Sequence, residues 1–182
     1  MLKPFKVPDN FNYIGVFLTL RCSFGCPYCI NRHGELKSVE ELSTAGWIEG
    51  LARIETRPDL PITLQGGEPS LHPGWMEIAN ALWRVDKPVD LLTNGDFDIT
   101  EFMQKVNPEV FKREAKYASI RFSFHPSQHD AHALATKVWA LQSNGYSVGI
   151  WGLSHPALKN QNRLMKKICL NYGIDFRMKE YL

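Results

Sequence analysis

Three of the four cysteines lie close together, at a spacing that suits a metal or cluster site. Cys22, Cys26 and Cys29 form a C-x3-C-x2-C pattern, whereas Cys169 stands alone. In a chain without export signals, such a cluster indicates metal binding or redox chemistry rather than a disulfide framework. Three thiolates can bind three irons of a four-iron cubane, and the remaining iron is then free to bind a small molecule.

The residues around the cysteine cluster also allow a zinc site in place of an iron–sulfur cluster. The three clustered cysteines and His33 form a four-ligand set, with C-x3-C-x2-C-x3-H spacing, that is compatible with a closed structural zinc site. Cys169 shares an apolar helical stripe with Met165 and Tyr172. We therefore expect Cys169 to be a buried core residue rather than a further ligand.

Six short apolar runs, each bounded by turn residues, predict six β-strands. They are Tyr13–Leu20, Ile62–Gln65, Val89–Thr93, Ser119–Phe124, Ser147–Trp151 and Ile174–Met178. Helical patterns lie between these runs, which predicts βαβ units and a parallel sheet. Six units are fewer than the eight of a closed barrel, which typically needs about 250 residues. The sequence therefore predicts an α/β fold, a partial, open (β/α)6 barrel with mostly parallel strands.

Apolar periodicity and capping residues predict the helices between the strands. The first helix carries Ile54 on its apolar face, together with Trp47 and Leu51. Asp98 has a glutamate three residues later, which is the spacing of a capping box. A later helix is predicted to start at Ser127 with Asp130, and the last one is predicted to stop at Gly173.

The length of the chain predicts one domain. At roughly 100–200 residues per domain, we expect residues 1–182 to form a single core with no linker inside it. The chain stops at Leu182, just after the sixth predicted strand, with no helix to cover that strand. This leaves open whether the chain is truncated there or whether a partner packs against the strand.

Composition and charge exclude several kinds of partner. Hydrophobic residues make up 44% of the chain and charged residues 22%, which is typical of a globular protein. The net charge of +2 is too small to indicate nucleic acid or an anionic membrane as the main partner. The longest apolar stretch is far short of a membrane span, and the N-terminus lacks the apolar core of a signal peptide. We therefore expect a cytoplasmic protein with no nucleic-acid partner and no membrane partner.

Chemically unusual residues follow the predicted strands, at the carboxyl ends where ligands bind in parallel α/β sheets. The cysteine cluster follows the first strand, and Gly66-Gly67-Glu68-Pro69 follows the second. Asn94 comes after the third strand, and Ser123 lies at the end of the fourth. The two glycines allow the backbone to approach a ligand closely, because no Cβ stands in the way. One edge of the sheet is therefore predicted to bind a ligand.

The cysteine spacing after the first strand resembles that of the radical S-adenosylmethionine (SAM) superfamily. Tyr28, the residue before Cys29, is aromatic, as in that family's pattern. Gly66-Gly67-Glu68-Pro69 resembles the family's second-strand motif, which meets the methionine amino group. Asn94 resembles the position that approaches the ribose or the methionine, and Ser123 matches a polar residue that contacts the same cofactor.

The resemblance spans Tyr13–Met178 and extends to the fifth strand. There, Val148–Gly152 resembles a G-x-I-x-G pattern that lies beside the adenine, with Val148 in place of the first glycine. The resemblance implies a [4Fe-4S] cluster on Cys22, Cys26 and Cys29. It also implies that SAM is bound by Tyr28, Gly66, Gly67, Glu68, Asn94, Ser123 and Ile150.

The same resemblance implies the activity. In this family a reduced cluster passes one electron to the sulfonium of SAM, and the resulting 5′-deoxyadenosyl radical takes a hydrogen atom from a substrate. Glu68 can place a carboxylate near the cationic amine of SAM. The implied partners are an electron donor such as flavodoxin or ferredoxin and an unidentified substrate, which is a small molecule, a peptide or a protein.

Two other functions stay open from the sequence. One is an activase that makes a glycyl radical on a partner protein, with the open sheet admitting that large substrate. The other is a zinc-stabilised binding module without catalysis. His125 and His155, which follow strands, can bind substrate or move a proton, and Trp151 can stack on a ligand or fill the sheet interior. The basic C-terminal stretch indicates a solvated helix face or a docking patch for a reductase.

Overall fold

Six parallel strands form one open sheet in the computed structural model, which describes residues 3–29 and 40–180. In spatial order they are β2 (Ile14–Thr19), β4 (Ile62–Gly66), β5 (Val89–Thr93), β6 (Ile120–Phe124), β7 (Val148–Ser154) and β8 (Asp175–Glu180). All six predicted strands are present and differ from the prediction only at their ends. Among the described residues no pairing joins β2 to β8, which confirms the partial, open (β/α)6 barrel.

A second, two-stranded parallel sheet lies outside the sequence prediction. It consists of β1 (Phe5–Lys6) and β3 (Ile54–Glu55). Helix α1 (Thr44–Ala52) ends before Ile54, so the prediction that Ile54 belongs to this helix is wrong. Ile54 continues the apolar spacing of the helix and packs against the core, but its backbone pairs with Phe5. Periodicity along one helix carries no information about such a distant pairing partner.

Helices on the outer face of the sheet complete the βα units. They are α2 (Trp75–Arg84), α3 (Ile99–Lys105), α4 (Ala131–Ser143) and α5 (Lys159–Tyr172). Asp98 caps α3 as predicted, because its carboxylate accepts two backbone N–H groups of the first turn. Of the two residues predicted to start α4, Asp130 is the N-cap and Ser127 is not. Gly173 ends α5 in the left-handed conformation, with φ of 65°. None of the helices in the described ranges is long and apolar enough to cross a membrane.

The hydrophobic core lies between the sheet and these helices. The strand residues that point outward are buried there: Ile62, Leu64, Leu91, Ile120, Phe122 and Ile150. Cys169 of α5 is buried in the same core, which confirms the expectation that it is a core residue. Because side chains alternate along a strand, the neighbours of these residues point to the interior of the open barrel.

A buried ionic cluster occupies that interior toward the amino ends of the strands. The fully buried Asp90 carboxylate accepts hydrogen bonds from Arg113 at 2.7 and 2.8 Å and from Arg121 at 3.0 Å. The Tyr117 ring centre lies 4.8 Å from one guanidinium carbon and 5.1 Å from the other. Charges are tolerated in an interior only when they are paired in this way. The paired charges fill the interior at the amino ends of the strands, so the space for a ligand lies at the carboxyl ends.

Candidate active site

A cavity of about 430 Å³ lies at the carboxyl ends of the strands, where the sequence predicts ligand binding. Eight of the ten predicted site residues line it: Cys22, Cys26, Tyr28, Cys29, Gly66, Gly67, Asn94 and Ser123. They come from β4 and β6 and from the loops after β2, β4 and β5, so the parallel topology brings together residues that are distant in sequence. The other two, Glu68 and Ile150, are fully buried and do not line the cavity.

Strand β7 presents Trp151, rather than Ile150, to the cavity. Ile150 belongs to the core behind the sheet, and the alternation of side chains places Trp151 on the cavity side. The guanidinium carbon of Arg177 lies 5.8 Å from the Trp151 ring centre, which is a cation–π geometry. Contact of Ile150 with the adenine therefore stays a prediction, and Trp151 is the ring that this strand offers to a planar ligand.

Two of the clustered cysteines, Cys22 and Cys26, sit in surroundings that favour the protonated thiol. Cys22 is exposed, whereas Cys26 and Cys29 are half-buried. Burial raises the pKa of the Cys22 thiol, and burial with the neighbouring cysteines raises the pKa of the Cys26 thiol to about 11. At neutral pH these two sulfurs keep their protons until a metal displaces them.

The donor set after β2 can be compared with the two metal groups that the sequence leaves open. Cys22, Cys26 and Cys29 all line the cavity, and three thiols on one cavity can supply three ligands of a four-iron cubane. The zinc alternative takes a fourth ligand, His33, which lies outside the described residues. The three cysteines therefore fit a cluster.

The diglycine turn packs directly against the backbone that leads into the cysteine loop. The Gly67 N–H donates to the Thr19 carbonyl at 2.9 Å. A Cβ on Gly66 would collide with that same carbonyl, and a Cβ on Gly67 would collide with the carbonyl of Arg21. Gly66 also has a φ of 150°, which side-chain-bearing residues rarely adopt. The two glycines are therefore required for this turn to lie beside the start of the cysteine loop.

The Glu68 side chain turns away from the cavity and bridges two loops. Its carboxylate accepts the Ser70 N–H at 3.1 Å, the Thr93 hydroxyl at 2.7 Å and the Asn94 N–H at 2.6 Å. Burial raises the pKa of the Glu68 carboxyl, and these hydrogen bonds act in the opposite direction. Contact of Glu68 with the methionine amine of SAM stays a prediction, whereas its role in joining the turn after β4 to the end of β5 is visible in the structure.

The orientation of the Asn94 carboxamide is set by its neighbours. Its Oδ1 accepts the Asp96 N–H at 2.8 Å, so the amide cannot flip without losing this bond. Its Nδ2 consequently faces the cysteine loop, 3.2 Å from Ser23 Oγ and 3.8 Å from Cys22 Sγ. Asn94 is therefore in contact with a predicted cluster ligand as well as with the cavity.

A pair of histidines connects the cysteine loop to Asn94. The Tyr28 hydroxyl lies 3.2 Å from His125 Nδ1, and the backbone N–H of His125 donates to His129 Nδ1 at 3.0 Å. Since its Nδ1 accepts, His129 carries its proton on Nε2 and donates it to the Asn94 carbonyl at 2.8 Å. Burial and the neighbouring His129 lower the pKa of His125 to about 4, and burial also lowers the pKa of His129. Both rings are therefore neutral at neutral pH.

Sequence reasoning missed several residues of the site. The sequence analysis did not select His129, although its spacing of four residues from His125 is a signal that could have identified it. Phe24, inside the cysteine pattern, packs edge-on against the His129 ring with centroids 4.9 Å apart. Of the two histidines that were expected to face the ligand, His125 lines the cavity, whereas His155 caps a short 3₁₀ turn and does not. Trp151 lines the cavity, which is where a ring that stacks on a ligand must lie.

Comparison with known protein families shows which family the chain belongs to. A model of the radical SAM superfamily matches residues 16–130, which include the cysteine loop, the diglycine turn, Asn94 and the histidine pair. The chain belongs to the radical SAM superfamily. The resemblance read from the motifs is thereby confirmed.

Curated relatives of this radical SAM chain are named PqqA peptide cyclase. The protein from Gluconobacter oxydans is 33% identical over 78 residues, which are 43% of this chain and 22% of the relative. The one from Rhizobium meliloti is 35% identical over 78 residues, which are 43% of this chain and 21% of the relative. The chain thus matches about a fifth of the length of these relatives.

Solved structures of radical SAM proteins share the fold. Streptococcus suis SuiB bound to the precursor peptide SuiA has a TM-score of 0.67 at 15% identity, covering 99% of this chain and 40% of SuiB. The anSMEcpe structure with bound AdoMet has a TM-score of 0.69 at 14% identity, covering 98% of this chain and 52% of that one. At such identities the likeness concerns the fold alone, and it extends over the whole described sheet.

Proposed function

We propose that this chain is the radical SAM core of a peptide-modifying enzyme, with a [4Fe-4S] cluster held by Cys22, Cys26 and Cys29 and with SAM as second cofactor. The observation that carries the proposal is the meeting of the three cysteines and the diglycine turn in one cavity of a radical SAM chain. When bound, the cluster supplies an electron to SAM, and SAM cleavage gives the 5′-deoxyadenosyl radical that abstracts hydrogen from the substrate.

The residues of the chain itself bind and orient these groups. Gly66 and Gly67 let the turn after β4 pack against the backbone that leads into the cysteine loop, so that the turn and the cysteines face one cavity. At the end of β6, Ser123 offers a hydroxyl, and Trp151 of β7 offers an aromatic face to the same cavity. The ring of Phe24 adds apolar wall next to the cysteines, which helps to keep water from a reactive species.

A peptide, or a peptide segment of a protein, is the proposed substrate. The curated relatives are named for a peptide, and the SuiB structure holds a precursor peptide. In this chain the rim of the cavity includes Tyr13 and Phe17, whose exposed fractions are 48% and 42%, and the charged Lys179 and Glu180. An open rim with aromatic and charged side chains suits the side chains of an extended peptide better than a small, enclosed metabolite.

The proposed electron donor is a flavodoxin or a ferredoxin. The exposed face of α5 carries four basic residues: Lys159, Arg163, Lys166 and Lys167. Opposite surface charges raise association rates between proteins, so an acidic donor suits this face. Docking here would be weakened by added salt.

Anaerobic reconstitution with iron and sulfide tests the proposal. We expect a brown protein with iron and sulfide in [4Fe-4S] proportion, which forms methionine and 5′-deoxyadenosine from SAM when reduced. Alanine at Cys22, Cys26 or Cys29 should abolish both properties, whereas Cys169→Ala changes a buried core residue and should keep them. A colourless chain with stoichiometric zinc would overturn the proposal in favour of the zinc-stabilised binding module.

The substrate class has its own test. Peptides deuterated at individual residues are incubated with the reconstituted protein, SAM and reductant, and 5′-deoxyadenosine is analysed by mass spectrometry. Deuterium transfer from a peptide supports the proposal and locates the abstracted hydrogen. Transfer from none of the peptides, with a stable glycyl radical found on a partner protein, would favour the activase instead.

A further inference from the structure

The backbone of Asn94 is held from two sides. Its N–H donates to the buried Glu68 carboxylate at 2.6 Å, and its carbonyl accepts from His129 Nε2 at 2.8 Å. Lys137 of α4 donates to the next carbonyl, that of Gly95, at 2.7 Å. Asn94 itself is only 6% exposed. Its carboxamide is therefore a donor that is already in position before any ligand binds.

The three cysteines differ in the hydrogen bonds that reach their sulfurs. Cys22 Sγ accepts from the Phe24 N–H at 3.5 Å and from Asn94 Nδ2 at 3.8 Å. In the part of the chain that the structure describes, the sulfurs of Cys26 and Cys29 accept no such bond. Among the described residues, therefore, Cys22 has a side-chain donor and the other two cysteines have none.

We infer that Asn94 tunes the redox potential of the cluster by donating a hydrogen bond to the Cys22 thiolate. The inference rests on the proposed function, because it requires the cluster. The step is the uptake of one electron from the external donor, and no bond forms or breaks in it. A hydrogen bond to a ligand sulfur stabilises the reduced cluster more than the oxidised one, since the reduced cluster carries one more negative charge. Asn94 therefore raises the potential and makes the cluster easier to reduce.

This role differs from that of a ligand-binding residue. A side chain that only contacts SAM would change the affinity for SAM and leave the potential of the SAM-free cluster unchanged. A side chain that donates to Cys22 changes the potential before SAM is added. Asn94 is therefore a positioning residue that acts through Cys22, and the SAM-free potential is the quantity that reports on it.

A redox titration of the reconstituted chain, followed by EPR without SAM, tests the inference. Asn94→Leu removes the donor at similar volume, and we expect its potential to be more negative than that of the wild type. A tenfold lower ratio of reduced to oxidised cluster at a fixed solution potential corresponds to about 59 mV for a one-electron couple. Ser23→Ala removes the other acceptor of the Asn94 amide but keeps the donor, so its potential should equal that of the wild type.

A second variant separates the effect of the lost hydrogen bond on the potential from any effect of altered packing. Asn94→Asp retains the shape of the side chain and replaces the donor by an acceptor with negative charge, so its potential should lie below that of Asn94→Leu. If Asn94→Leu does not load iron, the comparison uses Asn94→Asp and the smaller Asn94→Ser. Iron and sulfide analysis of every sample verifies that the clusters compared are complete.

The possible failures separate the two proposals. A wild-type chain that loads no cluster overturns the proposed function. Fully loaded Asn94 variants with the wild-type potential, or with a higher one, overturn the tuning role and leave the proposed function intact. Loss of loading in all three Asn94 variants, with normal loading of Ser23→Ala, would also overturn it, because Asn94 would then be needed to build the site.

Discussion

The Glu68 carboxylate accepts the Asn94 backbone N–H at 2.6 Å, which ties the turn after β4 to the end of β5. The other two partners, the Ser70 N–H and the Thr93 hydroxyl, are donors as well. The Thr93 hydroxyl proton is committed to Glu68, because its oxygen accepts the Gly95 N–H at 2.8 Å. A buried site that offers only donors suits an ionised carboxylate and no other side chain of this size.

Glu68→Gln tests this bridge. The glutamine NH2 would face at least one donor, which leaves a buried hydrogen-bonding group unsatisfied. We expect the free energy of unfolding to fall by about 1–3 kcal/mol. Urea unfolding followed by tryptophan fluorescence measures the change. The exposed Glu49→Gln on α1 is the control and should stay within about 0.5 kcal/mol of the wild type. Equal stability of Glu68→Gln and the control would contradict the bridge.

Much of this site follows from local patterns in the sequence. The apolar runs locate the six strands, and parallel strands bring their carboxyl ends to one edge, so the cysteines, the diglycine turn, Asn94 and Ser123 had to meet there. The isolated Cys169 is assigned to the core by the apolar stripe that it shares with Met165. Each of these conclusions depends on spacing within one element or on the order of elements, which a sequence displays directly.

The remaining features depend on pairings between distant residues. Asp90 lies in an apolar run, and nothing near it in sequence indicates that Arg113 and Arg121 neutralise it in the interior. The Glu68 side chain turns away from the cavity because Thr93 and Asn94, at the end of β5, donate to its carboxylate. Ile54 fits a helix by its spacing, and only its pairing with Phe5 places it in a strand. Such partners become visible only once the sheet is assembled.

Gly67→Ala should damage the turn that adjoins the cysteine loop. The new Cβ meets the backbone carbonyl of Arg21, which cannot rotate away as a side chain would. We expect a loss of more than about 1 kcal/mol in unfolding free energy and a lower iron content after reconstitution. Gly50→Ala in α1 is the matched control, since a Cβ there has no neighbour within 4 Å.

The two glycine variants are predicted to shift stability in opposite directions. Alanine favours a helix over glycine by up to about 1 kcal/mol, so Gly50→Ala should raise the midpoint of urea unfolding. Gly67→Ala should lower it. A Gly67→Ala chain that is as stable as the wild type and loads iron fully would show that the turn has room for a side chain.

Asp90→Asn should be among the most damaging single changes in the chain. It leaves the guanidinium groups of Arg113 and Arg121, whose side chains are 12% and 14% exposed, without their carboxylate. Removing one partner of a buried ion pair costs about 3–5 kcal/mol. Asp59→Asn breaks an exposed pair with Arg57, where the Asp59 side chain is 74% exposed, and should cost no more than about 1 kcal/mol. Similar urea midpoints for the two variants would refute the importance of the buried cluster.

The buried histidine pair predicts that stability falls in mild acid. The pKa of His125 is lowered by burial and by His129 to about 4 in the folded chain, whereas a histidine in the unfolded chain titrates near 6.5. Between these two values the unfolded state binds a proton that the folded state excludes. Stability is therefore fully present above pH 6.5 and is lost as the pH falls toward 4, by at most about 3 kcal/mol for His125.

Urea unfolding of the metal-free chain at several pH values between 7 and 4 measures this loss without interference from cluster breakdown. His125→Asn removes the titrating ring, so its stability should depend less on pH than that of the wild type. His132→Asn, at an exposed position on α4, should keep the wild-type dependence. If His125→Asn and the wild type lose stability in parallel, protonation of other groups governs the acid transition, and the His125 ring is not held neutral by its surroundings.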